Sequence, residues 1–134
     1  MKNKVVIVGT GMVGMSYAYS MVNQGTCEEL VLIDIDKDKA KGEAMDLNHG
    51  LNFGKRKMKI YAGDYKDCSD AYIICITAGA IQAEGETRLD LLNKNTKIMK
   101  NIIDNIKASG FNGILLIATN PVDIMTYIAA KLSG

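Results

Sequence analysis

Five short apolar runs, rich in β-branched residues, alternate with four longer stretches in which small and apolar residues recur at helical spacing. The runs are Val5–Val8, Leu30–Ile33, Lys57–Tyr61, Ala71–Ile76 and Gly113–Ile117. The helical stretches are Met12–Gln24, stopped by Gly25; the charged Lys37–Asn48, ending near Gly50; the long Gly85–Ser109; and Asp123–Leu132. Strands that are apolar along their whole length need cover on both faces. Alternating with helices, they predict an α/β fold, a parallel sheet between two helical layers. The Lys57–Tyr61 run is the weakest. It overlaps the basic Lys55-Arg-Lys-Met-Lys59, which reads as a solvated strand edge or turn.

A chain of 134 residues is expected to form one domain, residues 1–134, around one core. Sixteen basic against fifteen acidic residues give no electrostatic case for nucleic acid or an anionic membrane. At 48% hydrophobic residues the chain is too apolar to be disordered. Cys27, Cys68 and Cys75 are odd in number, far apart and without a C-x-x-C pair. Neither a disulfide framework nor a metal site is expected, and a reducing cytoplasm is the simplest home. The start, Met1 to Gly9, holds only four consecutive apolar residues, too few for a secretory leader. No run approaches the roughly 18 residues of a membrane span.

Gly9-Thr-Gly-Met-Val-Gly14 fits G-x-G-x-x-G between an expected strand and an expected helix, the context that gives this short pattern meaning. Gly9 allows the tight turn, Gly11 leaves room for a pyrophosphate, and Gly14 lets helix and strand pack closely. The amide end of the helix, opening at Met12, suits the phosphates. Asp34 lies twenty residues beyond Gly14 at the end of the second run, placed to accept from ribose hydroxyls. Its charge repels a 2′-phosphate, which favours NAD over NADP. Asp36 is a nearby alternative, past the strand end. Another adenosine cofactor, such as S-adenosylmethionine, is the main competing ligand.

These features together specify a Rossmann doubly wound parallel sheet, whose full strand order is 3-2-1-4-5-6. Five strands supply 3-2-1-4-5. The expectation is that a sixth strand belongs to a longer protein, leaving Ile114–Ile117 an unprotected edge.

Ligands bind beyond the carboxyl ends of such strands. Arg88 is the one cation in Thr77–Asp90, able to polarise a carbonyl and stabilise charge growing on its oxygen. From spacing alone, the preferred reading is an exposed helix arginine paired with Glu84 or Glu86. Asn120, after the fifth run, can orient a carboxamide or carbonyl, or can simply serve the turn before the next helix. The Asn120–Pro121 bond is expected to be trans.

Gly9–Gly14, Leu30-Val-Leu-Ile-Asp34, Gly42-Glu-Ala-Met-Asp-Leu-Asn-His-Gly50, Gly85-Glu-Thr-Arg-Leu-Asp90 and Ala118-Thr-Asn-Pro-Val-Asp123 occur in that order. In these segments the chain resembles the N-terminal, NAD-binding part of the lactate/malate dehydrogenase family, most closely its bacterial L-lactate dehydrogenases. The resemblance covers the whole chain. It implies that Gln82 stands at the specificity position, where malate dehydrogenases carry Arg. A neutral Gln offers no partner to a second carboxylate, which favours pyruvate/lactate. It assigns Arg88 to the mobile loop and the ketone, reversing the reading from spacing. It gives Asn120 to both nicotinamide and substrate. Gly9, Gly11, Met12, Val13, Gly14, Asp34, Lys39, Tyr65, Thr77, Ala78, Gly79, Ala80, Asn101, Ala118 and Asn120 match cofactor-binding positions. Ile81 and Glu84 depart from the bacterial Asn-Gln-Lys-Pro loop, which leaves a related 2-hydroxy acid open. His49, the only histidine, matches a structural position.

The resemblance further implies that a C-terminal substrate domain, carrying a His–Asp pair and a second arginine, lies downstream of this sequence. The expectation is therefore a chain that binds NAD yet is nearly inactive alone, within an oligomeric (dimeric or tetrameric) L-lactate dehydrogenase. A malate-type enzyme and a non-catalytic NAD-binding module are the alternatives.

Overall fold

The alternating pattern folds as five parallel strands in the order β3-β2-β1-β4-β5, in a computed structural model that describes residues 3–134. The strands are β1 (Lys4–Val8), β2 (Glu29–Ile33), β3 (Lys59–Ala62), β4 (Ile73–Ile76) and β5 (Ile114–Ile117). The helices are α1 (Met12–Gln24), α2 (Lys37–Gly50), α3 (Arg88–Ala108) and α4 (Val122–Ser133). Met1 and Lys2, the first residues of the stretch read as too short for a leader, lie outside the described residues.

Every residue of β1 and β2 is buried, as central strands with two covered faces require. Alternate side chains feed two cores. Val6, Val8, Val31, Ile33, Ile74 and Ile76 face α3 and α4 through Met99, Ile103, Ile106 and Met125. Val5, Ile7, Leu30, Leu32 and Cys75 face α1 and α2 through Ala18, Met21, Ala44 and Leu47. Each fully buried Ile or Leu contributes about 1.5–3 kcal/mol. The three thiols sit in these cores, where burial pushes Cys27 and Cys75 up to about 11 and Cys68 up to about 12. They remain protonated at neutral pH.

Two charges are buried where the central strands begin. Lys4 Nζ lies 2.7 Å from Asp70 Oδ1 and 3.8 Å from Glu29 Oε1, and the Tyr61 hydroxyl donates to Glu29 Oε1 at 2.7 Å. Burial opposes the charge on Lys4, but the Asp70 hydrogen bond and the acids around it hold its pKa above the usual lysine value.

Three elements start two or more residues later than the sequence reading places them, each for a local reason. β3 starts at Lys59, where the Lys59 amide donates its first ladder bond, to the Glu28 carbonyl at 2.9 Å. β4 starts at Ile73, because the Ala71 amide turns back to the Cys68 carbonyl. α3 starts at Arg88, not Gly85. Gly85 has φ +76°, and Thr87 and Asp90 cap the helix reciprocally. The glycine stop of α1 forms as the spacing predicts: Gly25 has φ 64°, and its amide reaches the Met21 carbonyl at 2.8 Å.

The Asn120–Pro121 peptide is cis, correcting the trans expectation. An X–Pro bond prefers trans by only about 0.5–1 kcal/mol, so tertiary context selects the isomer. Among the described residues, no helix is long and apolar enough to cross a membrane.

Candidate functional site

Strand order reverses between β1 and β4, and the turns following these strands touch. Gly9 leaves β1 with φ +107°, its amide donating to the Ile33 carbonyl at 2.8 Å. A Cβ on Gly9 would lie 2.6 Å from the Ala78 nitrogen. A Cβ on Gly14 would lie 2.0 Å from the Gly9 carbonyl oxygen. The Thr77 hydroxyl donates to that oxygen at 2.8 Å. Two of the three glycines are thus required by protein packing alone.

Gly11 is different. A Cβ there would meet nothing within 4 Å. It is the N-cap residue of α1, with no side-chain cap, and Met12 and Val13 beside it are 90% and 59% exposed. The first intrahelical bond runs from the Met15 amide to the Gly11 carbonyl at 2.9 Å. The amides of Met12, Val13 and Gly14 precede it and have no acceptor within the helix. Open space, free donors and the positive end of a helix dipole coincide here.

Asp34 stands beside this opening at the end of β2. Its Oδ2 accepts from the Thr10 amide and the Thr10 hydroxyl, each at 2.8 Å, and its Oδ1 accepts from the Asp36 amide at 2.9 Å. Burial opposes ionisation, but these three bonds and the nearby Lys39 charge hold the carboxyl below its ordinary pKa. A carboxylate has about four lone-pair positions, so acceptor capacity remains. Asp36, the alternative acid, is committed to capping α2 through the Lys39 amide at 3.0 Å. Tyr65 opens a 3-10 turn after β3, its phenol pushed up to about 12 chiefly by burial, with Cys68 and Asp34 adding to the effect.

On the other side of the switch, the Thr119 hydroxyl donates to the Ala78 carbonyl at 2.7 Å, tying the β5 exit to the β4 exit. Asn95 of α3 accepts from the Ala80 amide at 2.8 Å and donates to the Asn120 carbonyl at 3.2 Å. Gly79 and Asn120 are exposed, and Ala78, Ala80 and Ala118 are half-buried.

The loop between β4 and α3 folds upon itself. Gln82 Nε2 donates to the Glu86 carbonyl at 2.8 Å, and Glu86 accepts from the Ala83 amide and pairs with Lys94. Glu86 is therefore held by Lys94, not by Arg88. Among the described residues no ion pair or side-chain hydrogen bond engages Arg88, which is exposed on the first turn of α3. That corrects the reading of Arg88 from spacing alone. Asn101 is exposed farther along α3, accepting from Asn105 Nδ2 at 2.8 Å. His49 is exposed in the last turn of α2.

A family model described as lactate/malate dehydrogenase, NAD binding domain, matches residues 3–134. The chain belongs to the lactate/malate dehydrogenase family. It is 60% identical over 132 residues to the L-lactate dehydrogenase of Macrococcus caseolyticus, covering 98% of this chain and 42% of that protein. Among solved structures it matches a lactate dehydrogenase from a Medee basin deep-sea metagenome library at TM-score 0.97 and 69% identity, covering 100% of this chain and 43% of that one. It also matches the minor L-lactate dehydrogenase of Enterococcus mundtii in its ligands-bound form, at TM-score 0.97 and 50% identity, covering 99% and 42%. The chain thus spans well under half the length of the relatives it matches.

Within this family domain, the structure brings Gly11, Met12, Val13 and Asp34 together on one side of the switch. It gathers Thr77 to Ala80 and Ala118 to Asn120 on the other. It also gives Thr10, Asn95 and Thr119 bonding roles that the motif reading did not assign: all are buried polar groups that bond site segments to one another.

Proposed function

We propose that this lactate/malate dehydrogenase domain holds the nicotinamide cofactor of an L-lactate dehydrogenase that interconverts pyruvate and L-lactate. The observation that carries this reading is the open space at Gly11, beside the uncapped end of α1 and an ionised Asp34. The residues fit a dinucleotide: donors for a pyrophosphate, then an anionic acceptor for ribose hydroxyls.

Gly9, Gly11, Met12, Val13 and Gly14 present the turn and its amides to the pyrophosphate. Asp34 accepts from the ribose, with Lys39 and Tyr65 along the adenosine side. Thr77, Ala78, Gly79, Ala80, Asn101, Ala118 and Asn120 line the remainder of the cofactor. Asp34 also discriminates: its charge opposes a 2′-phosphate. Because its folded pKa is depressed, its stabilising bonds are present in full above the ordinary carboxylate pKa. They are lost as pH falls through the lowered value.

When bound, the nicotinamide supplies the hydride. Arg88 donates to the substrate ketone oxygen and stabilises the charge that develops there, acting in a site from which loop closure excludes water. Asn120 orients substrate and carboxamide. Gln82 sets the preference for a substrate without a second carboxylate. The proton-handling His–Asp pair and the arginine for the substrate carboxylate belong to the longer enzyme, so residues 1–134 form a binding domain that is nearly inactive alone. The whole enzyme works as a cytoplasmic homo-oligomer.

The test is the substrate preference of the full-length enzyme. Oxaloacetate would bring a carboxylate that Gln82 cannot pair, and leaving a buried charge unpaired costs about 3 kcal/mol or more. We expect kcat/KM for pyruvate to exceed that for oxaloacetate by roughly 100-fold. The reverse order overturns the role of Gln82 and makes the enzyme malate-type.

A further inference from the structure

We infer that Asn95 is a positioning residue that locks the two strand exits of the nicotinamide half into one rigid wall. It rests on the cofactor reading above and goes beyond it to a residue whose side-chain amide is engaged by the protein's own backbone. Asn95 is 4% exposed, the one buried polar side chain of α3, on the stripe that continues through Met99, Ile102, Ile103 and Ile106. A hydrophobic residue at that position would extend the core. The amide instead faces two backbone groups of opposite polarity. Its Oδ1 accepts from the Ala80 amide after β4, and its Nδ2 donates to the Asn120 carbonyl after β5. Only a side chain with one acceptor and one donor, set at this spacing, satisfies both.

The neighbourhood is shaped for this reach. Gly79 has no side chain, and a Cβ there would lie 3.2 Å from Thr119 Cγ2 and 3.5 Å from Asn95 Oδ1. Thr119 adds a parallel fastening to the Ala78 carbonyl. Arg88 lies seven residues before Asn95 on the same helix, two turns away and on the same face. One buried amide therefore sets the β4 exit, the β5 exit and the helix bearing Arg88 in register. The wall it sets faces the nicotinamide end of the cofactor. The turn at Gly11 and the acceptor at Asp34 follow β1 and β2, outside its bonds.

This separation dictates the experiment. Asn95→Asp keeps the shape and the acceptor but sets a second acceptor against the Asn120 carbonyl. Asn95→Ser shortens the side chain and loses the span. Each variant chain is titrated by calorimetry with NADH and with ADP-ribose, which lacks the nicotinamide, alongside a thermal melt. Loss of one buried hydrogen bond with an acceptor left facing an acceptor weakens NADH binding by about tenfold or more. ADP-ribose affinity stays within about twofold of the parent. Equal weakening of both ligands, or no change in either, overturns the inference. If the parent chain binds neither ligand, the cofactor reading itself fails, a result distinct from failure of the Asn95 role.

Discussion

Gly14→Ala is expected to destabilise the chain severely, whereas Gly11→Ala is expected to leave the fold intact and remove cofactor binding. Gly14 lies inside α1, where helix propensity alone favours Ala over Gly by about 1 kcal/mol. Packing reverses the sign. The new Cβ would sit 2.0 Å from the Gly9 carbonyl oxygen and 2.7 Å from Thr77 Oγ1, and the first of these is backbone in a tight turn. Either α1 or the turn must move by about an ångström, at an overpacking cost of about 3 kcal/mol. A domain of this size is stable by about 5–15 kcal/mol, so the melting temperature falls by roughly 10 °C or the chain fails to fold.

Gly11 has φ −73°, open to any residue, and nothing within 4 Å of an added Cβ. Its alanine variant melts within a few degrees of the parent. Its new methyl group would fill the space proposed for a pyrophosphate at the α1 amides, and NADH binding is expected to weaken by about 100-fold or more. A Gly11→Ala chain that binds NADH as the parent does would show that no phosphate approaches there. A stable Gly14→Ala chain would contradict the packing of the turn.

Arg88→Gln in the full-length enzyme carries the second large effect. Gln matches Arg in helix propensity, Thr87 and Asp90 keep the helix start, and no ion pair among the described residues is lost. Stability changes by under about 0.5 kcal/mol, and NADH affinity is unchanged. Loss of a donor to a developing oxyanion costs about 10²–10³ in rate, so on the role proposed for Arg88 kcat for pyruvate is expected to fall by that factor. Stopped-flow reduction of pyruvate under single-turnover conditions reads the step directly. An unchanged rate would remove Arg88 from the chemistry and leave it a solvated helix residue.

What was legible in the sequence follows from where physical signals are local. Val5–Val8 and Leu30–Ile33 announce buried strands because both faces of a central strand are covered, leaving no polar alternation to confuse the period. Gly25 marks the end of α1 because only a residue at ease with positive φ closes it cheaply. The start of α3 lies at the capping box of Thr87 and Asp90, a signal the sequence carries, and not at Gly85, whose positive φ is incompatible with opening a helix. Asn95 also left a signal, a polar residue on an otherwise apolar helical stripe. Its two partners are backbone groups 15 and 25 residues away, and no spacing rule reveals them. Thr10 is the same case: its position inside the glycine motif is free in the pattern, and its bond to Asp34 exists only once β1 and β2 lie side by side. Arg88 shows the limit most clearly. Spacing paired it with Glu84 or Glu86, while the folded loop gives Glu86 to Lys94.

The central claim is that the α1 amide end and Asp34 form a working NAD site within these 134 residues. A calorimetric titration of the folded chain with NADH, and separately with NADPH, tests it most directly. Saturable binding of NADH, with NADPH at least about tenfold weaker because Asp34 opposes the 2′-phosphate, is the expected result. No NADH binding to a chain shown to be folded, or equal binding of both nucleotides, would contradict it.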